Sequence, residues 1–600
     1  MAKLLGKNMR NNIRVTIGLL ILLFLIVWAV SLFSFFYDTF EVRERHAGLI
    51  ADSIINNKLV MPLLNYQYLA EKGDALIAGI ITVPFFIIFG TSYISLKLVA
   101  LFITAIILML WLVFIKKYFG YQTMLFFGLI FIFSPPTFTK VSLMTWGFHG
   151  QANFYIILAL LIFFYINFDK KGIDIKWLFW ILGFVCGLGL YSVKIFAVFL
   201  LALIIFWIYI EKNIYLKLKF YFFILGLGIG YLPGIIYNLT HGKYLIQVTD
   251  MPLWKLCFDN FLLRLKGVFS TVFIDLPASF MFVGTGKWFS YFYFSLFCLA
   301  LIVNYFNQRH EKASSRKMIF GFLILYFSLF IIMLNFSPHN LEPKYAALGY
   351  RYLVVIYPFM FLVLAEGLRW VYGKTKNKII FIYFVCFLIM LFAIKGNFNR
   401  INIPSWKNML SYKGVSYERL GWVVGETCLA EKGMDECNKI ISKVPKKELN
   451  VTYEGLGFAL YTNLGLNFQG AIEKVPQQYK ARVYKGLGEM SVWGYIHNED
   501  SEKLKSYINL ISEEYLPNFI IGFARAVSLE YSLDLAKAKG LFLTYFSDKD
   551  LKYLYRGFGE AGGEWLGDFA LQKLGKSEER FESYLLQGIV EGKKRSLYEE

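Results

Sequence analysis

Long apolar runs separated by short charged segments fill the chain up to residue 395, and they restrict the fold more than any other feature. The first, "IRVTIGLLILLFLIVWAVSLFSFFY", begins at Ile13, and the later ones lie near 95–115, 122–134, 152–168, 177–191, 195–210, 219–237, 288–306, 318–335, 352–371 and 378–395. Of the 600 residues 57% are hydrophobic and only 17% are charged, which is more apolar surface than a soluble protein can cover. The sequence therefore predicts an all-α, polytopic membrane protein.

The basic residues are distributed in a way that orients such a protein and does not suit nucleic-acid binding. The formal net charge is +20, but Lys and Arg fall in short clusters and form no continuous basic face. The clusters follow every second run, at 116–117, 170–176, 212–219, 309–317 and 374–378. Because cytoplasmic loops carry the excess of positive charge, this pattern predicts a cytoplasmic N-terminus, about eleven transmembrane helices and an extracytoplasmic C-terminus.

One further apolar segment, "DALIAGIITVPFFIIFG" at 74–90, is not counted as a span. At about 1.5 Å per residue it reaches only about 24 Å, which is less than the ~30 Å of the hydrocarbon core. It also contains Pro84, and counting it would reverse the charge alternation downstream. We expect a juxtamembrane helix on the outer face, which makes the stretch before it extracytoplasmic.

The tail from about residue 403 is polar and repetitive. The segments "YEGLGFAL", "YKGLGEMS", "FIIGFARAV", "YRGFGEAG" and "LLQGIVEG" carry the marker glycines Gly455, Gly486, Gly522, Gly557 and Gly588, which are 31, 36, 35 and 31 residues apart. A period in the thirties is typical of paired-helix repeats that stack into a solenoid. We therefore expect a transmembrane catalytic domain at 1–395 and an extracytoplasmic helical-repeat domain at 403–600. Small residues two apart in the repeat would let neighbouring helices approach closely.

The tail also contains Cys428 and Cys437, nine positions apart. An oxidising compartment would permit a disulfide between them, and sequence alone gives no geometry to decide whether one forms.

The predicted external loops collect carboxylates, histidines and basic residues on one face of the bilayer. The first loop begins "YDTFEVRERHAGLIADSIINN" and continues to "VMPLLNYQYLAEKGD"; later loops contain "WGFHGQANF", "PGIIYNLTHGK" and "NFSPHNLEPKYAALGYRYLVVIYP". A carboxylate can take a proton from a hydroxyl nucleophile, and cationic groups can stabilise a phosphate leaving group. Such residues suit the displacement of a polyprenyl phosphate from a sugar.

In the same order, these segments resemble the GT-C membrane glycosyltransferases, the superfamily of protein O-mannosyltransferases and aminoarabinose transferases. "RERHAGLIADSI" and "VMPLLNYQYLAEKGD" resemble its acidic segment and lysine turn, "WGFHGQANF" its Gly-His loop, "GIGYLPGIIYNLTHG" its "YNL.H" segment and "RYLVVIYP" its "RYL.PLYP" segment. The resemblance covers roughly residues 10–395. Two positions depart from it, because Arg43 replaces the first acidic residue and Gly73–Asp74 replaces a proline pair.

The resemblance implies an inverting transferase with a polyprenyl-phosphate sugar donor and a lipid, glycan or protein acceptor. Glu44 is the expected catalytic base, with Asp38 or Glu41 in reserve. Lys72 and Arg351 are expected to bind the donor phosphate, with Lys344 as an alternative, and the candidates for lining the sugar or acceptor site are His149, His46, Asn238 and His241. Carboxylates near a phosphate could recruit a divalent metal, although the sequence has no strong metal-ligand spacing and no other cofactor is implied.

Other readings of the same residues stay open. Glu41 and Arg45 could form an interfacial ion pair, Lys72 could reach toward lipid headgroups, and Asn238 and His241 could be structural. The whole chain could instead be a glycan polymerase or ligase, or a non-catalytic membrane anchor for the repeat domain. A transporter or flippase is disfavoured, because the spans carry almost no charge and show no internal repeat.

Overall fold

The structure, a computed structural model, describes residues 2–35, 44–67, 73–145, 150–169, 176–240, 288–309, 315–335, 353–377, 414–429, 433–498, 501–531, 533–566, 570, 574 and 579–595. Within these ranges the regular structure is helical and contains no β-strand. The expected all-α class is therefore confirmed for the part of the chain that the structure describes.

The α-helices are numbered here in chain order. The N-terminal ones are α1 (Ala2–Phe35), α2 (Glu44–Ile55), α3 (Asp74–Phe89), α4 (Tyr93–Tyr118), α5 (Tyr121–Ile132), α6 (Pro136–Ser142), α7 (Ala152–Phe164), α8 (Lys176–Ser192), α9 (Phe196–Ile210), α10 (Leu218–Thr240), α11 (Trp288–Arg309), α12 (Ser315–Asn335) and α13 (Tyr357–Lys374). Those of the tail are α14 (Tyr417–Cys428), α15 (Gly433–Ile441), α16 (Leu449–Leu464), α17 (Gln469–Glu473), α18 (Gln477–Asn498), α19 (Ser501–Asn509), α20 (Leu516–Glu530), α21 (Leu535–Phe542), α22 (Leu551–Leu566) and α23 (Glu582–Arg595).

The chain divides into two compact units. The first comprises Met1–Thr39, Ala70–Asp74 and Lys97–Ile403. The second comprises Pro404–Glu600 together with two N-terminal segments, Phe40–Leu69 and Ala75–Leu96. The second unit thus combines the tail with α2, most of α3 and the first turn of α4.

Within the described residues, four helical segments are long and apolar enough to cross a membrane: Ile13–Phe33, Tyr93–Tyr118, Leu218–Thr240 and Ser315–Met333. Shorter apolar helices lie at Asp74–Phe89, Tyr121–Ile132, Ala152–Phe168, Lys176–Ser192, Phe196–Ile210 and Ser295–Asn304. These segments are compatible with a membrane protein, as the sequence predicted. The expected count of eleven spans includes 378–395, which lies outside the described residues.

Two glycine-rich helices of the first unit, α8 and α10, pack with their backbones in contact. A Cβ atom at Gly183 or Gly187 of α8 would overlap the carbonyl oxygens of Phe223 or Leu227 on α10. Gly226 and Gly230 of α10 face carbonyl oxygens of α8 in the same way. Each helix therefore carries a Gly-x-x-x-Gly pair, the pattern that lets membrane helices approach closely.

A buried carboxylate connects three other helices of the first unit. Glu366 of α13 is 1% exposed and forms ion pairs with Arg316, near the start of α12, and with Arg369, whose Nε lies 3.3 Å from Oε2. The hydroxyl of Thr123, near the start of α5, also donates a hydrogen bond to Glu366. Because the carboxylate is paired, its burial is tolerated, and it joins the middle of α13 to the first turns of α5 and α12.

In the second unit, the longer tail helices α14, α16, α18, α20, α22 and α23 form a row in which each packs on the next. The shorter helices α15, α17, α19 and α21 lie between them in the chain. Lys485 of α18 also forms an ion pair with Glu560 of α22, past the intervening α20. Charged side chains from helices two places apart in the row therefore meet.

The marker glycines set the spacing of this row. A Cβ at Gly455 would overlap the carbonyl oxygen of Glu418, one at Gly486 that of Glu454, and one at Gly522 that of Lys485. Each marker glycine thus faces a carbonyl oxygen of the previous repeat. That carbonyl belongs to the residue one position before the site that corresponds to the marker glycine. The residues two positions later face the following helix, as Gly457 does toward Val483 and Gly488 toward Phe519. The small residues of the repeat do produce close helix approach.

We expect Gly486→Ala to destabilise the second unit by about 1–3 kcal/mol, because the new methyl group must push apart two backbones. Gly540→Ala is the matched control, since Gly540 is exposed on α21 with open space around its Cα, and alanine there favours the helix. Urea-dependent proteolysis of the tail in the purified full chain measures the stability of both variants. Equal stability of the two variants would contradict the proposed role of the glycines.

Candidate functional site

The predicted catalytic segment forms α2, a helix that is buried on nearly all sides. Nine of its twelve residues, Glu44–Ala51 and Ser53, are buried. Gly48 lies so close to the tail that a Cβ would overlap the carbonyl oxygen of Gly414, and Ile50 packs on Gly79 of α3. Glu44 in the first turn also interacts favourably with the helix dipole. Packing against α3 and the tail therefore fixes the position of α2 within the second unit.

Glu44, the predicted catalytic base, is 0% exposed. The hydroxyl of Tyr93, the first residue of α4, donates a hydrogen bond of 2.8 Å to its Oε1. A carboxylate that is buried and hydrogen-bonded keeps one orientation. The geometry thus provides a fixed acidic group directly after the first apolar helix.

His46 is also buried, and its hydrogen bonding defines its protonation state. Nε2 lies 2.6 Å from the carbonyl oxygen of Tyr66, so Nε2 carries the proton and donates it. Nδ1 has no hydrogen-bonding partner within the described ranges. Burial, together with the positive charge of Arg419, lowers the pKa of His46 to about 4. The imidazole is therefore neutral near pH 7, and the arrangement is that of a histidine held within the core.

Arg45 joins α2 to a cluster of charged side chains from the tail. Its Nη2 lies 3.3 Å from Oε1 of Glu564 on α22, and both side chains are buried. We call the set the buried charge network; its members are Arg45, Glu454, Lys485, Glu489, Arg525, Glu560 and Glu564.

Arg525 of α20 is the centre of this network. It is 1% exposed, its Nε lies 3.2 Å from Oε2 of Glu564, and its Nη1 forms an ion pair with Glu489 of α18. Burial alone would lower the pKa of the Arg525 guanidinium, but the nearby carboxylates, chiefly Glu489 and Glu564, outweigh burial and raise it above its usual value. The guanidinium therefore stays charged and holds helices on either side of α20.

The third basic residue, Lys485 of α18, completes the network. Its Nζ forms an ion pair with Glu560 and lies 3.6 Å from Oε1 of Glu454 on α16. With Arg45 and Arg525, three basic residues thus face four glutamates, all of them buried. Such an arrangement is stable only while the partners stay together.

The sequence analysis did not identify this network, although the repeat contains a signal for it. Glu454 and Lys485 directly precede marker glycines, while Glu489, Arg525 and Glu560 each lie three positions after one. Positions four apart fall on one stripe of a helix. The marker glycines contact the neighbouring helix. A charged residue on the stripe beside such a glycine therefore also faces that helix and lies in the interior.

The other predicted site residues are distributed as follows. Asn238 is buried on α10, in the first unit. The remaining candidates lie outside the described residues: Asp38, Glu41, Lys72, His149, His241, Lys344 and Arg351. Of the ten candidates, the structure thus brings together Glu44 and His46, on one helix.

Within the described ranges, no group of three or more His, Cys, Asp and Glu side chains could hold a metal ion. Comparison with known proteins adds no family to these observations. No protein-family model, curated protein or solved structure matches the chain.

Proposed function

We propose that the chain is an integral-membrane, inverting glycosyltransferase that takes a sugar from a polyprenyl-phosphate donor at the extracytoplasmic face. The acceptor hydroxyl attacks the anomeric carbon, the bond from that carbon to the phosphate oxygen breaks, and polyprenyl phosphate leaves. Glu44 takes the proton of the acceptor hydroxyl. Lys72 and Arg351, with Lys344 as the alternative, stabilise the leaving phosphate.

The observation that carries this proposal is the setting of Glu44. The residue begins the next described α-helix after an apolar segment of membrane-spanning length, and the Tyr93 hydroxyl donates a hydrogen bond of 2.8 Å to its carboxylate. A general base works best when its orientation is fixed before the substrate arrives. The order of the sequence segments, which resembles that of GT-C transferases, supplies the substrate class.

The membrane part of the proposal includes eleven spans and α3 as a juxtamembrane helix. α3 carries apolar residues on two faces: Ala78 and Phe86 are buried, whereas Ile87 and Ile88 are 66% and 71% exposed. A helix with apolar residues on its outer face suits contact with lipid. Only three residues separate its end from α4, a candidate span, which supports its position at the membrane surface.

In this proposal the tail is an extracytoplasmic solenoid of helix pairs, and it also supports the acidic helix. Arg45, the neighbour of Glu44, is held by Glu564, and Gly48 packs on Gly414. The tail helices therefore contribute to the position of Glu44 as well as offering a surface to an acceptor.

The test is to incubate the purified full chain with a panel of labelled polyprenyl-phosphate sugars and suitable acceptors. We expect one donor to be consumed, and Glu44→Gln to lower that rate by roughly 100-fold or more, the effect of losing a general base. Glu513→Gln, which changes an exposed glutamate of the tail, should have the wild-type rate. Failure of the wild-type protein to consume any donor in the panel would count against a transferase.

The complete burial of Glu44 favours a second candidate, a non-catalytic membrane anchor for the tail. In that case Glu44 is a structural residue like those of the buried charge network. Glu44→Gln would then lower the stability of the second unit without changing the consumption of any donor. Circular dichroism of the variant, measured beside donor consumption, separates the two candidates.

A further inference from the structure

The only two cysteines of the tail are in contact with each other. The sequence contains six cysteines, of which Cys186, Cys257, Cys298 and Cys386 precede residue 403. The remaining two, Cys428 and Cys437, form a hydrogen bond between their side chains.

The surroundings of the pair are those of a fixed structural element. Cys428 is the last residue of α14, and Cys437 lies in the second turn of α15, the helix that follows and packs against α14. Both thiols are buried, and no disulfide joins them in the structure. The hydroxyl of Thr427 lies 3.6 Å from the sulfur of Cys428. The two helices thus hold both sulfurs together in a site that solvent does not reach.

We propose that Cys428 and Cys437 are a modification site and form a disulfide in the mature protein. Each thiol loses one proton and one electron, and an S–S bond forms between the two sulfurs. The two electrons reduce a disulfide-containing protein oxidant, which takes them by thiol–disulfide exchange and becomes a dithiol. The inference depends on the predicted extracytoplasmic position of the tail, where such oxidants operate, and it is independent of the proposed transferase activity.

The buried setting also indicates when the bond forms. The hydrogen bond that the Cys437 thiol donates to Cys428 and the burial of the thiol both raise the pKa of Cys437 far above its usual value. Since the thiolate is the attacking species, the folded dithiol reacts slowly. Oxidation therefore takes place before α14 and α15 are fully packed, and the fold then protects the bond.

Mass spectrometry of the full chain tests the proposal. The protein is purified without reductant, denatured in the presence of N-ethylmaleimide and digested with trypsin, which cuts after Arg419, Lys432 and Lys439. A disulfide joins the peptides 420–432 and 433–439, and the joined peptides separate on reduction. We expect the joined species, with Cys186 and Cys298 alkylated as internal controls.

Recovery of both peptides in the alkylated form would overturn the proposal. A Cys428→Ser variant gives a second measurement: Cys437 should then become a free thiol that is alkylated on denaturation. If Cys437 is already fully alkylated in the wild-type protein, the variant changes nothing and the disulfide is excluded.

Discussion

Replacing Arg525 with alanine is expected to lower the free energy of unfolding of the second unit by about 3–5 kcal/mol, the range for breaking a buried ion pair from one side. Arg525 forms ion pairs with Glu489 and Glu564, and all three side chains are buried. Without the guanidinium, two carboxylates stay buried with less compensation, and Glu564 keeps Arg45 as its partner. Urea-dependent proteolysis of the tail in the purified full chain measures the change.

Arg556→Ala is the matched control for this experiment. Arg556 lies on α22, next to the marker glycine Gly557, and its Nη2 is 2.6 Å from Oε1 of Glu591. Both side chains are about one-third exposed, so solvent screens the pair. Its loss should lower stability by about 1 kcal/mol or less. If the two variants lose the same stability, the network is not the buried structural centre inferred here.

A decrease in stability at mildly acidic pH is the second large effect, and it originates at His46. The pKa of His46 is about 4 in the folded protein, whereas its ordinary value is 6.5. Between these values the unfolded chain binds a proton that the folded chain does not, so stability falls as the pH falls from about 6.5 to about 4. At about 1.36 kcal/mol per unit, this contribution is on the order of 3 kcal/mol and stops growing below the folded pKa.

His46→Gln isolates the contribution, because glutamine does not titrate and its amide can still donate a hydrogen bond to the Tyr66 carbonyl. Unfolding of both proteins is compared between pH 7 and pH 4. The variant should lose less stability over this interval. The difference from the wild-type protein should correspond to the uptake of about one proton on unfolding. An unchanged pH dependence would mean that His46 is protonated in the folded state, with its charge stabilised by a partner.

The local features of the fold follow from sequence pattern. Apolar runs predict the apolar helices because a chain in lipid must satisfy its backbone within each helix. The marker glycines predict close packing because a missing Cβ permits close backbone approach, as Gly486 shows against Glu454. The Gly-x-x-x-Gly pairs of α8 and α10 carry the same kind of signal, and a search for this motif would have found them.

The pairing of α2 with the tail could not be predicted in this way. Periodicity and composition report which face of a helix is apolar, but they do not identify the partner of that face. The expected domains placed α2 within 1–395, whereas in the structure α2 belongs to the same unit as 404–600. The proposed roles of Lys72, Arg351 and His149 stay predictions, because these residues lie outside the described ranges.

The ion pair between Arg45 and Glu564 has a consequence for how the protein is made. The two residues are 519 positions apart. At about 5–20 residues per second, the ribosome needs roughly 25–100 s to reach the second after completing the first. During that interval α2 has left the ribosome while the helix that binds Arg45 does not yet exist. Any chain that stops before α22 therefore leaves Arg45 without this partner.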